Sequence, residues 1–149
     1  MTEIRFYHLQ KSSLEDALPP LLSKAVESGK KVVLRLKDDQ TVSRMNDHLW
    51  TFQPDSFLPH GSKKEGYSEH QPVYLTSQTE NPNGASVLIY ESGIEDIDHT
   101  VFDLCCQMLN GRDDTQVTQA RTEWKALKDA GHSLTYWQQT AEGRWEEKS

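Results

Sequence analysis

Three cations and one aromatic ring within a single stretch are the residues best placed to do chemistry in this sequence. Between residues 113 and 131, Arg121, Lys125 and Lys128 recur at intervals of four and three, with Trp124 among them. At about 100° per residue, a helix would gather the cations into a narrow stripe beside an apolar side of Val117, Ala120, Trp124 and Leu127. Guanidinium and ammonium groups pair carboxylates, and a large ring at the seam walls an apolar slot, so the pattern suits an acidic peptide. A surface helix whose cations are merely solvated shows the same pattern, and Lys125 and Lys128 would in any case be favoured near a helix C-terminus by the macrodipole.

Other reactive residue types do not assemble in the same way. The six histidines, His8, His48, His60, His70, His99 and His132, contain no pair at i,i+4 and no zinc-hydrolase pattern, and read as surface or satisfied side chains. Ser62 and Ser68 stand near His60 and His70 without a nucleophile elbow around either. Cys105 and Cys106 are adjacent, whereas disulfide frameworks and zinc sites need separated thiols; two reduced cysteines buried in a strand are expected. The Asp38-Asp39 and Asp113-Asp114 pairs are accounted for as helix starts, where anions are favoured. No metal, no cofactor and no catalytic residue is expected.

The elements that must position the basic stripe follow from periodicity and end signals. For the helix over residues 113–131, Asp113 with Gln116 has the form of a capping box, and Gly131 sits where a left-handed C-terminal cap belongs. Upstream, residues 4–9 alternate as a first strand, and Ser12 or Ser13 can cap a helix in which Leu14, Ala17, Leu18, Leu21, Leu22, Ala25 and Val26 share a face and Gly29 marks the end. Pro19 and Pro20 fall inside that period and predict a kink or a later start. Residues 32–36 form a buried central strand, and the strand-helix-strand order implies a right-handed parallel crossover.

A second helix, capped by Asp38 or Asp39, is expected to reach about Trp50 with Val42, Met45 and Leu49 inward and Trp50 a further candidate for that side. The pattern then breaks up, and residues 61–70 read as a mobile loop. Strands are expected over residues 72–76 and 86–90, either as a long-looped hairpin or as neighbours in a parallel sheet. A short helix over 94–99, a strand over 102–109, a run that helical spacing would also suit, and a last strand over 134–139 complete the series; the end from residue 142, polar apart from Trp145, is expected to fray. Together these predict an α/β fold, a three-layer sandwich around a mostly parallel sheet with Rossmann-like topology.

The 149 residues point to one domain over 1–149, long enough to bury roughly two-thirds of the surface of the unfolded chain. The formal charge of -7 argues against direct nucleic-acid binding, which runs on net or strongly clustered positive charge. With no leader, no apolar run of membrane-spanning length and no lipidation signature, the expectation is a cytoplasmic protein that does not engage a membrane. A doubly wound sheet raises the prospect of nucleotide binding, but the first loop, His8-Leu9-Gln10-Lys11-Ser12-Ser13, has neither the glycines of a dinucleotide turn nor a P-loop cradle.

Several segments, taken in order, resemble one family: Arg5-Phe6-Tyr7-His8-Leu9, Ser28-Gly29-Lys30-Lys31-Val32, Asp47-His48-Leu49-Trp50, Ser56-Phe57-Leu58-Pro59-His60-Gly61, Gln71-Pro72-Val73 and Ala120-Arg121-Thr122-Glu123-Trp124-Lys125-Ala126. The chain resembles the chi subunit of bacterial DNA polymerase III holoenzyme, a clamp-loader accessory protein. The resemblance implies a nucleotide-binding-like fold without a working nucleotide site, no catalysis, and two partners. One is the acidic, hydrophobic C-terminal tail of single-stranded DNA-binding protein, held on the last long helix, where Arg121, Trp124, Lys125 and Lys128 match the binding positions. The family commonly has tyrosine where this chain has Trp124. The other is the psi subunit of the clamp loader, whose contact maps onto Trp50, Phe57, Leu58, Pro59 and His60; the same aromatic residues would also suit a core. The resemblance thus predicts a replication adaptor, with a small nucleotide-binding or phosphotransfer enzyme as the alternative reading of a doubly wound sheet.

Overall fold

The computed structural model describes residues 2–51, 60–62, 70–94 and 97–148. Short apolar, β-branched runs become the central strands. β1 (Glu3–Leu9), β2 (Val32–Arg35), β3 (Val73–Thr76), β4 (Val87–Glu91), β5 (Leu104–Asn110), β6 (Ser133–Gln139) and β7 (Trp145–Glu147) form one sheet in the order β3-β2-β4-β5-β1-β6-β7. All pairings are parallel except that of β6 with β7. The third and fourth strands are neither a hairpin nor neighbours. β2 lies between them, pairing Val32 with Val73 on one side and with Val87 on the other. A strand buried along its whole length must satisfy both of its edges, and two parallel partners do so.

Helices α1 (Leu14–Glu27) and α2 (Asp39–Thr51) pack on one face, over Tyr7, Leu9, Leu34, Leu75, Ile89 and Met108. Ser13 caps α1 by accepting from the Asp16 amide, and Asp38 accepts from the Thr41 amide at 2.7 Å at the start of α2. The later helix start predicted at Pro19 and Pro20 does not occur; α1 runs through both. Pro19 cannot donate to the Glu15 carbonyl four residues back, but His48 of α2 can, and its Nε2 donates to that oxygen at 2.8 Å. Pro20 faces out, so the next carbonyl is left toward solvent.

The other face, with Ile4, Phe6, Val33, Leu88, Tyr90, Phe102 and Leu109, is covered in part by α3 (Asp114–Asp129). The expected three-layer α/β sandwich is therefore the observed one. Cys105 and Cys106 project to opposite faces of β5, both buried and unbonded to each other, and burial pushes both thiols up to about 12.

Three boundaries differ from expectation. Of the loop predicted over 61–70, residues 63–69 lie outside the described residues, and its first residue is not loop: the Gly61 amide donates to Val73 O at 3.0 Å, Gly61 O accepts from the Leu75 amide at 2.8 Å, and Gly61 and Ser62 are buried against the edge of the sheet. Of the short helix predicted over 94–99, residues 95–96 lie outside the described residues and Ile94, Ile97 and Asp98 are not helical; a 3-10 turn stands at His99–Val101, started by the Asp98 carboxylate on the Thr100 amide. The C-terminal segment does not fray among the described residues: β7 pairs with β6, and Trp145 stands edge-on to Tyr7 at 5.0 Å. A polar segment gains an ordered place when one ring finds an apolar partner and its backbone finds a strand edge. No described helix is long and apolar enough to cross a membrane.

Candidate functional site

Both ends of α3 are fixed by local chemistry. The Asp113 carboxylate accepts from the Thr115 and Gln116 amides. Gln116 does not complete a capping box; its side-chain oxygen accepts from the Asn110 amide at 2.8 Å, tying the helix start to the end of β5. At the other end Gly131 has φ 92°, its amide donates to Lys128 O at 3.0 Å, and the His132 amide donates to Leu127 O at 3.2 Å. These are the paired bonds of a Schellman motif, and the left-handed residue returns the chain into β6.

The inward side of α3 is the predicted one. Ala120 is fully buried and lets the helix approach the sheet, while Val117, Trp124 and Leu127 pack against the same cluster. Trp124 stands edge-on to Phe6 of β1 at 5.5 Å and to Tyr136 of β6 at 5.8 Å, and those two rings stack at 6.1 Å. Phe6 and Tyr136 are paired residues of adjacent strands, so the register of β1 with β6 builds the aromatic floor under Trp124.

Beside this floor, on the same side of β1 as Phe6, lies His8, its ring 5.8 Å from that of Tyr136. Gln10 Nε2 donates to His8 Nε2 at 2.9 Å, which leaves the ring proton on Nδ1 to bond Tyr136 Oη at 2.6 Å. Burial holds this imidazole below the usual histidine range, and the positive charge of Arg121 lowers it further. The same guanidinium opposes the upward push of burial on the Tyr136 phenol. Arg121 thus overhangs the β1–β6 side of the helix, above the aromatic cluster. Arg121, Lys125 and Lys128 are all exposed, and among the described residues none of them is engaged in an ion pair. The structure therefore brings Arg121 and Trp124 together on one flank, with Lys125 and Lys128 following at helical spacing.

The opposite flank of α3 carries different chemistry. Glu123 accepts from Gln107 Nε2 of β5; the same nitrogen donates to Tyr90 Oη at 3.3 Å, and Tyr90 Oη lies 3.0 Å from His99 Nε2. This network borders a hollow of about 430 Å³ between α3 and the segment before β5, lined among others by Ile94, Ile97, Thr118 and Ala126. The cations face away from it. Sequence reading did not find the supporting residues Phe6, His8, Tyr136 and Gln107, because their roles depend on strand pairing; strand parity alone would have put Phe6 and His8 on one face.

Of the second predicted group, Phe57, Leu58 and Pro59 lie outside the described residues, as does the side chain of Trp50, whose backbone is in the last turn of α2. His60 is buried, and its Nε2 donates to Asn46 O of α2 at 3.2 Å. The ring anchors its own segment to α2 from within. Among the described residues no three His, Cys, Asp or Glu side chains are grouped to hold a metal ion.

The family model described as DNA polymerase III chi subunit, HolC, matches residues 1–135, which takes in α3 whole and ends inside β6. The chain belongs to the DNA polymerase III chi-subunit family. It is 35% identical over 89 residues to a probable DNA polymerase III subunit chi of Rickettsia prowazekii, an alignment covering 60% of this chain and 54% of that one. It is 25% identical over 136 residues to the DNA polymerase III subunit chi of Haemophilus influenzae, covering 88% and 93%. The chain thus spans about half the length of the first relative and nearly all of the second. The family match stops at Thr135, so Tyr136, Gln139 and the β7 strand with Trp145 lie beyond the matched stretch.

Proposed function

We propose that this chain is a non-catalytic accessory subunit of the DNA polymerase III holoenzyme, acting at the clamp loader as the link to single-stranded DNA-binding protein. The acidic C-terminal tail of that protein binds along α3: Arg121, Lys125 and Lys128 pair its carboxylates, and Trp124 walls the place of its terminal aromatic ring. The observation that carries this reading is the exposed flank of α3, where cations without ion pairs among the described residues lie beside a ring seated on Phe6 and Tyr136. A chain with formal charge -7 can use such a local patch while its overall charge discourages direct contact with DNA. A psi subunit docks at the end of α2 and the segment after it, through Trp50, Phe57, Leu58, Pro59 and the His60 region. No cofactor takes part.

Calorimetric titration with a peptide ending in Asp-Ile-Pro-Phe tests the proposal. Binding is expected to weaken with salt, and Arg121→Ala and Lys125→Ala each to lower affinity about five- to tenfold, the loss of one charge-assisted contact. No binding by the unmodified chain, or variants that bind as well as it does, would remove the basic flank as the site. Thermal stabilisation by ATP without any response to the peptide would favour the nucleotide-enzyme reading instead.

A further inference from the structure

The loops that follow β1 and β5 leave adjacent strands and run to helices on opposite faces of the sheet. In doubly wound sheets the crevice at such a point holds anionic ligands on backbone N–H groups of the first loop. Here three successive N–H groups of that loop, those of Gln10, Lys11 and Ser12, all donate to one atom, Oε1 of Gln139 at the end of β6, at 3.2, 2.8 and 2.9 Å. Gln139 is 5% exposed, and its amide nitrogen donates to Ser12 Oγ at 3.0 Å. These amides precede Ser13, the cap of α1, and so are separate from the helix's own N-terminal donors.

The carbonyl side of the same loop is held independently. Arg112 Nη1 donates to Lys11 O and Nη2 to Ser12 O, each at 3.2 Å, and the Gly111 amide donates to Leu9 O at 2.7 Å. With its carbonyls fixed on one side, the loop keeps its N–H groups converged on the other. A neutral carbonyl has two lone pairs for three donors, whereas three convergent N–H groups match an anionic oxygen. Gln139, Gln10 and Lys11 also line an open hollow with Lys148, Glu142 and Glu146, so the cradle lies beside solvent with the glutamine side chain filling it.

We propose that residues 10–12 form an oxyanion cradle, of the kind that takes a phosphate oxygen, which this chain keeps shut with Gln139 as a built-in substitute ligand. The loop is then silent toward phosphate because its donors are occupied, and not only because it lacks glycine.

The test is a titration of the full chain and of two variants with inorganic phosphate, followed through the amide resonances of residues 10–12. Gln139→Gly is expected to show saturable shifts there and to bind phosphate about tenfold or more tightly than the unmodified chain. Gln139→Glu is expected to move the three amide protons downfield, as charge-assisted bonds replace neutral ones, and to ignore phosphate. A folded Gln139→Gly chain without phosphate shifts would overturn the proposal. If that variant does not fold, Gln139→Glu decides alone: unmoved amide resonances would equally overturn it.

Discussion

Replacing Trp124 by alanine separates the two roles the structure assigns to that ring, as part of the core and as the wall of a peptide slot. Trp124 is half-buried and contacts Phe6 and Tyr136 edge-on at 5.5 and 5.8 Å. A tryptophan that buries about half of its roughly 200 Å² of apolar surface gains about 2.5 kcal/mol at ~25 cal/mol per Å². Two edge-to-face ring contacts add about 0.5–1.5 kcal/mol each, and a compact unfolded chain returns part of the total. The expected cost of Trp124→Ala is therefore about 3 kcal/mol, read as a lowered urea midpoint in unfolding followed by circular dichroism. Trp124→Tyr keeps a ring on the same floor and should cost under about 1.5 kcal/mol. In the tail-peptide titration, the alanine variant should lose binding under conditions where it remains folded. A stability loss below about 1 kcal/mol for Trp124→Ala would refute the account of the ring as a core element.

Two further outcomes bear on the floor beneath α3. The His8 imidazole is depressed first by burial and then by Arg121, so the unfolded chain takes up its proton more readily than the folded one. The stability this contributes is present above about pH 6.5 and is lost as pH falls through the folded value; Arg121→Ala should move the His8 midpoint upward in an NMR titration, and an unmoved midpoint would show that the guanidinium does not reach it. Gly111→Ala would place a methyl group 1.9 Å from His8 Nε2 and 2.7 Å from Leu9 O, where backbone and a buried ring must both give way. That variant should lose about 3 kcal/mol or more in the same urea assay, and a near-neutral result would mean the two loops are not drawn together as described.

The parts of this protein legible in its residues are those decided within a turn or two of chain. Asp113 and Gly131 end α3 by hydrogen bonds to their own neighbours, and the spacing of Val117, Ala120, Trp124 and Leu127 states which side is buried; both are properties of one helix. For the same reason Arg121, Lys125 and Lys128 were legible as one exposed stripe. The alternation and β-branching of the strands likewise announced an α/β fold.

What required the tertiary structure is whatever depends on a partner far along the chain. Periodicity could not place β2 between β3 and β4, since strand order is set by which edges meet during packing. The passage of α1 through Pro19 depends on a donor from His48, and the ordering of β7 depends on Tyr7. Gln139 gave no local sign of its part in the first loop, because its three donors lie 127–129 residues away. Local hydrogen bonds and side-chain spacing determined the elements and the charged flank; long-range pairing alone decided what stands beneath that flank and what fills the crevice, because those contacts exist only once the strands are in register.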